Sequence, residues 1–419
     1  MRAQEASVKS RVCLCCGDAV SRDRPAPPSA LPGRSTAPRH GAPSPGRTND
    51  LYAIEYEVLA PIAEGTSARV DLCRALTTSA AGAQAGQMIA VKRPTSDLLS
   101  DDHASRRFLD EVWMSASLRH PNVVSVIGWG RDAAGPYLAL ELVQGVSLAR
   151  LLKSVFDTGE QFSERLVVYL GQMIAAGLAA AHELRSDRGE YLQLVHRDLN
   201  AANVLVSFAG EVKIADFGLA KAKDRLTVTT SELPTRQVGH VAPEDLAQRH
   251  VDHRSDLFSL GALLFELLTG KPAFSGKDDL ATIQAVLTAA PPDLDVLRPK
   301  LDRGLVALVM RCLEKDPARR PSSAREVERF MAEWLDLHGY RTDSDGVLSR
   351  FVRRNSMRQM RWFERALAGE PEPAPMPMNL PRASFYDLGN TANNSPASTE
   401  TAQTLSREEA TAVERKPAP

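Results

Sequence analysis

The sequence predicts an α+β fold on three observations. Strand-like apolar runs gather before about residue 143: Tyr56-Glu57-Val58-Leu59, Gln87 to Lys92, and a run through Gly128 and Tyr137 to Leu142. From Ser163 onward the apolar positions Leu166, Leu170, Met173, Ile174, Gly177, Leu178 and Ala181 recur at helical spacing. Between strand-rich and helix-rich parts stands LVHRDLNAANVLVSFAGEVKIADFGLA, Leu194 to Ala220. Its runs Val204-Leu205-Val206 and Val212-Lys213-Ile214-Ala215 predict a short hairpin.

A chain of 419 residues with 43% hydrophobic content can bury a sizeable core. The net charge of -1 gives no global pull toward nucleic acid or membrane. Five cysteines, with Cys13, Cys15 and Cys16 crowded near the start, do not make a disulfide framework, and a reducing compartment follows. Cys13 and Cys16 have the spacing of half a zinc site, but no second pair follows at a suitable distance. The longest apolar stretch, Leu257 to Thr269, carries Glu266, so no transmembrane segment is expected. With no apolar secretory core at the N-terminus, the expected location is cytoplasmic.

His196-Arg197-Asp198, Asn203 and Asp216-Phe217-Gly218 follow one another around the predicted hairpin. Each triplet alone is an ordinary charged loop; in this order and register they resemble the catalytic loop and metal-binding turn of the eukaryotic-type (Hanks-type) protein kinases, in particular the bacterial serine/threonine kinases. The resemblance implies a two-lobed protein kinase fold, with a small, mainly β lobe over 52–143, a larger helical lobe over 144–338, and ATP with Mg²⁺, or Mn²⁺ in its place, in the cleft. In this family Asp198 takes the role of catalytic base, and Asp216 and Asn203 supply the hard oxygen ligands that Mg²⁺ prefers. Arg197 is placed to pair with a phosphate on the activation segment.

The remaining elements follow in order. Residues 1–51, rich in Pro and Arg, lack the apolar content to offset their ordering entropy and are expected to be disordered. Ile62 to Val70 stands where the family has its phosphate-covering GxGxxGxV loop. Gly65 and Val70 are kept, while Ala63 and Ala68 replace the outer glycines. After a Gly/Ala-rich loop, Lys92 ends an apolar strand, and Glu111 lies in the helix-like run FLDEVWMSASL. The resemblance implies an ion pair between them, with Lys92 on the α- and β-phosphates. Leu138 to Gly145 resembles the hinge, with Leu140 as gatekeeper and the backbone of Glu141 to Val143 at the adenine edge. Ala90 and Val70 would cover the base from above and Leu205 from below.

Ser163 is the expected N-cap of a long helix that leads through a polar loop, Arg185 to Gln193, to the catalytic loop. Asp216 to Glu244 resembles the activation segment, with Thr227, Thr229, Thr230, Ser231 and Thr235 as candidate autophosphorylation sites. In the family, Asp256 anchors the catalytic loop's backbone and Arg320 pairs with Glu244. Gly270 closes one apolar helix, and Ser323 with Glu326 forms a capping box for another. Residues 339–369 form a basic extension in which Val347 to Leu367 predicts a helix bearing Arg350, Arg353, Arg354, Arg358, Arg361 and Arg365. A solvated helix is the expectation; docking on the kinase, or binding an acidic partner or membrane surface, are the alternatives. Residues 370–419 are expected to be disordered.

The expected activity is γ-phosphoryl transfer to protein Ser or Thr hydroxyls in a signalling role. Asn200 stands where serine/threonine kinases usually place a Lys on the γ-phosphate, and Ala202 where tyrosine kinases commonly carry Arg. Gln237 stands near where a Thr often contacts the base. The residues leave open a pseudokinase or ATP-binding scaffold, and a small-molecule kinase.

Overall fold

The computed structural model describes residues 51–64, 68–94, 112, 116–186, 188–217, 238–340 and 342–370. The Pro/Arg-rich leader, Gly65, Glu111, the Thr227 to Thr235 run, Gln237 and the tail beyond residue 370 lie outside the described residues.

Five strands, β1 (Tyr56–Glu64), β2 (Ala68–Ala75), β3 (Met88–Pro94), β4 (Val126–Asp132) and β5 (Gly135–Glu141), form one antiparallel sheet in the order β1-β2-β3-β5-β4. Residues directly opposite each other in antiparallel strands share a face, and faces alternate along a strand. The pairs Val70↔Lys92, Leu72↔Ala90, Ala90↔Leu140 and Lys92↔Leu138 therefore place Val70, Ala90, Lys92 and Leu140 on one face. Cys73, Ile89, Val91 and Ala139 point the other way and form a small core with Ile54, Ile127 and Tyr137. The strands are longer than the alternation suggested: β1 and β2 run into both arms of the glycine-loop region. Part of the Gly/Ala-rich loop is tied down on β4, where Ser79 Oγ donates to the Ile127 carbonyl at 2.5 Å.

The larger lobe begins with a second sheet, β6 (Gly145–Ser147), β7 (Val204–Ser207) and β8 (Val212–Ile214), in that order. The β7–β8 pair is the hairpin expected from the sequence. Helix α1 (Leu148–Asp157) follows β6, and α2 (Glu164–His182) forms the lobe's axis. Ser163 caps α2, its Oγ accepting from Leu166 N at 3.4 Å. Helix α2 is long and apolar enough to cross a membrane by composition, but 67% of the relevant window is buried inside the protein. Short α3 (Pro243–Leu246) precedes α4 (Arg254–Thr269), which is buried along nearly its whole length and ends at Gly270 in the left-handed conformation, φ 73°.

Helices α5 (Asp279–Thr288), α6 (Leu294–Leu297), α7 (Arg303–Cys312) and α8 (Ala324–Leu337) complete the lobe. Helix α8 packs across α2 at Gly171, where a Cβ would lie 2.7 Å from Met331 Sδ. The capping box is only half formed: Ser323 Oγ accepts from Glu326 N, but the Glu326 carboxylate accepts from Ser322 N and Oγ instead.

The extension departs from expectation. It is two helices, α9 (Ser344–Asn355) and α10 (Met357–Leu367), broken at Ser356, and it is not a solvated rod. Leu348, Phe351, Val352, Trp362, Phe363 and Ala366 are buried in the main core, because their spacing makes one apolar face on each helix. Arg353, Arg354 and Arg365 bond to the chain's own Phe208 carbonyl, Glu160 and Glu370.

Candidate active site

The site is organised from below by Asp256, which has no solvent exposure. Its carboxylate accepts from the backbone N–H groups of His196 and Arg197, each at 2.8 Å, and meets His182 Nε2 at 2.8 Å. Burial opposes the charge on Asp256, but the contacts with His182 and His196 outweigh it and hold its pKa below the ordinary 3.8. These bonds stabilise a backbone that sterics disfavour, since Arg197 has φ 63° without being glycine. The anchoring role expected of Asp256 is present, and His182 is a partner that the sequence pattern did not single out.

The catalytic loop closes around Asp198. Asn203 Nδ2 donates to the Asp198 carbonyl at 2.8 Å and to Oδ2 at 3.2 Å. Asn200 Nδ2 donates to Asp198 Oδ1 and to the Asp198 carbonyl, both at 3.0 Å, while its Oδ1 accepts from Ala202 N at 2.8 Å. Asn200 is buried, and both ends of its amide are engaged inside the loop. At the position where serine/threonine kinases usually place a Lys, its short side chain turns onto the base. The two amides approach different oxygens of one carboxylate, which fixes the plane of Asp198.

Asp216 reaches the site from the end of β8, in the left-handed conformation at φ 65°. Lys92 Nζ donates to Asp216 Oδ1 at 2.5 Å across the lobes. That is the contact the structure shows for Lys92; its expected partner Glu111 lies outside the described residues. His196 holds the turn from behind: Nε2 donates to the Ala215 carbonyl at 2.9 Å, Nδ1 accepts from Asp198 N at 3.2 Å, and the ring meets Phe217 edge-on at 4.6 Å. This pairing requires the tautomer with its proton on Nε2. A cleft behind Leu140 is lined by Val112, Val124, Leu138, Asp216 and Phe217 among others, so gatekeeper and metal-binding turn share one space.

The donor set suits a hard cation. Asn203 directs Nδ2 to Asp198, which leaves its side-chain Oδ1 without a hydrogen-bond partner among the described residues, and Asp216 brings a carboxylate from just beyond β8. No group of three or more His, Cys, Asp or Glu suited to a metal occurs among the described residues. One carboxylate and one amide oxygen fit Mg²⁺, which keeps waters and takes phosphate oxygens as its other ligands.

The nucleotide end is built from the two sheets. Val70 and Ala90 stand on the Lys92 face of the five-stranded sheet, Ile62 packs against the main core from β1, and Leu205 lies on β7 opposite Ser147 and Lys213. Between them runs the hinge. Glu141, expected to contribute its backbone, also uses its side chain: Oε1 accepts from Ser125 N at 2.7 Å and from Lys213 Nζ at 3.0 Å. Val143, next along, is half-buried. Lys213 escaped the sequence reading because an isolated lysine on a short strand has no distinguishing spacing.

The comparisons agree with this geometry. The family described as protein kinase domain matches residues 56–333. The chain belongs to the protein kinase family. Among curated relatives, this kinase is 30% identical over 289 residues to the tyrosine-protein kinase MasK of Myxococcus xanthus, covering 68% of this chain and 44% of the relative. It is 28% identical over 273 residues to the serine/threonine-protein kinase PrkC of Bacillus subtilis, covering 65% and 39%, and 32% identical over 289 residues to pkn2 of Myxococcus xanthus, covering 66% and 32%. The kinase thus spans less than half the length of each of these relatives. A solved structure of the PknI kinase domain of Mycobacterium tuberculosis, a double mutant, superposes with a TM-score of 0.51 at 26% identity, covering 66% of this chain and 94% of that one.

The far end of the kinase's activation segment is locked into the helical lobe. Arg320 donates Nη1 to Glu244 Oε1 and Nη2 to Oε2, both at 2.7 Å, and Ser255 Oγ adds a bond of 2.6 Å. Both side chains of the ion pair are buried. Burial opposes the charge on Glu244, but the bonds from Arg320 and Ser255 outweigh it and hold its pKa below the usual carboxylate value. The pair inferred from the family pattern is present, in the bidentate form that a planar guanidinium favours.

Proposed function

We propose that this kinase transfers the γ-phosphoryl group of ATP to Ser or Thr hydroxyls of protein substrates, with Mg²⁺ held by Asn203 and Asp216. The observation that carries this reading is Asp198, oriented by two amides on one side of a cleft whose other side carries the Lys92–Asp216 contact. Asp198 would orient the attacking hydroxyl and accept its proton as the new O–P bond forms and the bond to ADP breaks. Lys92 stabilises phosphate charge from the small lobe, and Val70, Ala90 and Leu205 offer the base apolar surface. Asn203 and Asp216 would hold Mg²⁺, whose charge would offset that of the β- and γ-phosphates. Inside the cytoplasm, where ATP is supplied, such an activity serves signalling; cell fractionation that recovers the kinase elsewhere overturns that placement.

Transfer from radiolabelled ATP to a generic protein substrate, with wild type beside Asp198→Ala, tests the reaction. Label on Ser and Thr that disappears in the variant supports it. A wild type that binds ATP but transfers nothing under Mg²⁺ or Mn²⁺ points to a scaffold. Tyrosine is the second reading, favoured by the similarity to MasK and by Asn200 in place of the usual Lys. Phosphoamino-acid analysis of the same reaction separates the acceptors. Autophosphorylation between Thr227 and Thr235 is part of the proposal, and phosphates there in Asp198→Ala made without any other kinase would sink it.

A further inference from the structure

Helices α9 and α10 lie beyond residues 56–333, which the kinase family covers, yet they bury their apolar faces in the same core as the catalytic lobe. They meet that lobe on α1, where Ser154 Oγ donates to the Asn355 carbonyl, at Phe162 just before α2, whose ring packs on Phe351, and on the turn between β7 and β8. The Phe208 carbonyl accepts from Ser349 Oγ at 2.7 Å and from Arg353 Nε at 2.8 Å. The Phe208 ring meets Phe363 edge-on at 5.9 Å. Gly210, at φ 93°, brings the turn so close to α9 that a Cβ there would lie 2.2 Å from the Asp345 carbonyl oxygen.

The position of this turn gives the contact its consequence. Asn203 immediately precedes β7, and Asp216 lies two residues after the end of β8, so the hairpin's open end carries both expected metal ligands. Its closed end is the Phe208 turn. Strands of four and three residues make a marginal ribbon, and β6, which flanks β7, is also only three residues long. A ribbon this short transmits displacement at its turn to its ends unless something outside holds the turn. The hinge supplies one hold, since Phe208 N donates to the Gln144 carbonyl at 2.9 Å. Asn122 Nδ2 holds the β8 side, donating to the Val212 carbonyl at 2.9 Å, and the extension holds the Phe208 carbonyl itself, one of its two bonds coming from a charged donor.

We infer that the α9–α10 extension is a positioning element for the metal–nucleotide site: Ser349 and Arg353, by holding the Phe208 carbonyl, set the spacing between Asn203 and Asp216. The inference rests on the ATP and Mg²⁺ reading above. A purely structural extension would affect melting and the folded fraction without singling out the metal, so the decisive quantity is the metal-dependent part of nucleotide affinity.

The test uses the full chain carrying Ser349→Ala and Arg353→Met, the second keeping the apolar stem but not the donor. Binding of a fluorescent ATP analogue is titrated with Mg²⁺ and with EDTA, and hydrogen exchange is followed over residues 204–216. The expected result is binding weakened about three- to tenfold with Mg²⁺, the scale of one to two hydrogen bonds, little change in EDTA, and faster exchange in the hairpin. Arg353→Lys should recover part of the loss. Arg354→Ala, which removes the exposed pair with Glu160 and the guanidinium over the Phe351 ring but leaves the Phe208 carbonyl bonds in place, should change neither reading. Unchanged affinity, or an equal loss with and without Mg²⁺, overturns the inference while leaving the kinase reading intact. A wild type that binds no Mg²⁺–nucleotide overturns that reading and the inference with it.

Discussion

Replacing Asp256 by Asn tests the logic of the site most directly, because it changes one oxygen to an NH₂ group in a fully buried position. The carboxylate receives the His196 N–H and the His182 ring on Oδ2 and the Arg197 N–H on Oδ1. An amide can keep one oxygen toward Arg197, but its nitrogen then faces the His196 N–H, donor against donor. Leaving a buried N–H unsatisfied costs about 1–3 kcal/mol, and losing hydrogen bonds to a charged acceptor adds about 1.5–3 kcal/mol. A total on the order of 3–5 kcal/mol should lower the melting temperature by on the order of 10 °C. Arg197, held at φ 63°, is then free to relax, and Asp198 moves with it. Misplacement of a catalytic group by about 1 Å can cost about 10²-fold in rate, so kcat should fall by that order with a smaller change in KM for ATP.

The same carboxylate gives a pH signature. Its folded pKa lies below the unfolded value near 3.8, so its stabilisation is fully present above that value and is lost as pH falls through the lower, folded one. Wild type should therefore lose stability below about pH 4 through this group, and Asp256→Asn should show a shallower loss there. Calorimetric melts at several pH values and steady-state phosphotransfer measure both effects. A variant with wild-type melting and wild-type kcat would refute the anchoring argument.

Two further substitutions probe the neighbouring elements. Arg320→Met leaves the Glu244 carboxylate buried without its cation, the Ser255 hydroxyl remaining, and should cost about 3–5 kcal/mol in denaturant unfolding, whereas Glu244→Gln with Arg320→Met together should recover much of that loss. Asn200→Ala removes one of the two amides on Asp198 and should lower kcat about tenfold, with little effect on nucleotide binding measured by fluorescence; weakened ATP binding with unchanged kcat would instead place Asn200 at the phosphate.

The catalytic constellation was legible in the chain because its residue types and intervals are set by the reaction. Asp198, Asn203 and Asp216 could be named because they stand in the order and register of the kinase catalytic loop and metal-binding turn, and a carboxylate base with an amide and a carboxylate for the cation suits that reaction. Asp256 and the Glu244–Arg320 pair were legible only through resemblance, since a lone acid at a helix start carries no chemical signature. The orientation of Asn200 was not legible at all. Whether its amide meets a phosphate or turns onto Asp198 depends on loop curvature, which the left-handed backbone at Arg197 helps to shape.

The extension shows the same division from the other side. Its sequence predicted one amphipathic helix over Val347 to Leu367, arginines set against Leu348, Val352, Trp362 and Phe363; the break at Ser356 into two helices came from the structure. The sequence did not determine what the apolar residues meet, because an apolar stripe specifies burial without naming a partner. Only the tertiary structure decided that, by bringing the Phe208 carbonyl within reach of Ser349 and Arg353 and by leaving, at Gly210, no side chain to keep α9 away. Local chemistry is written in residue type and spacing, while contacts between distant segments depend on surfaces that exist only once the chain has folded.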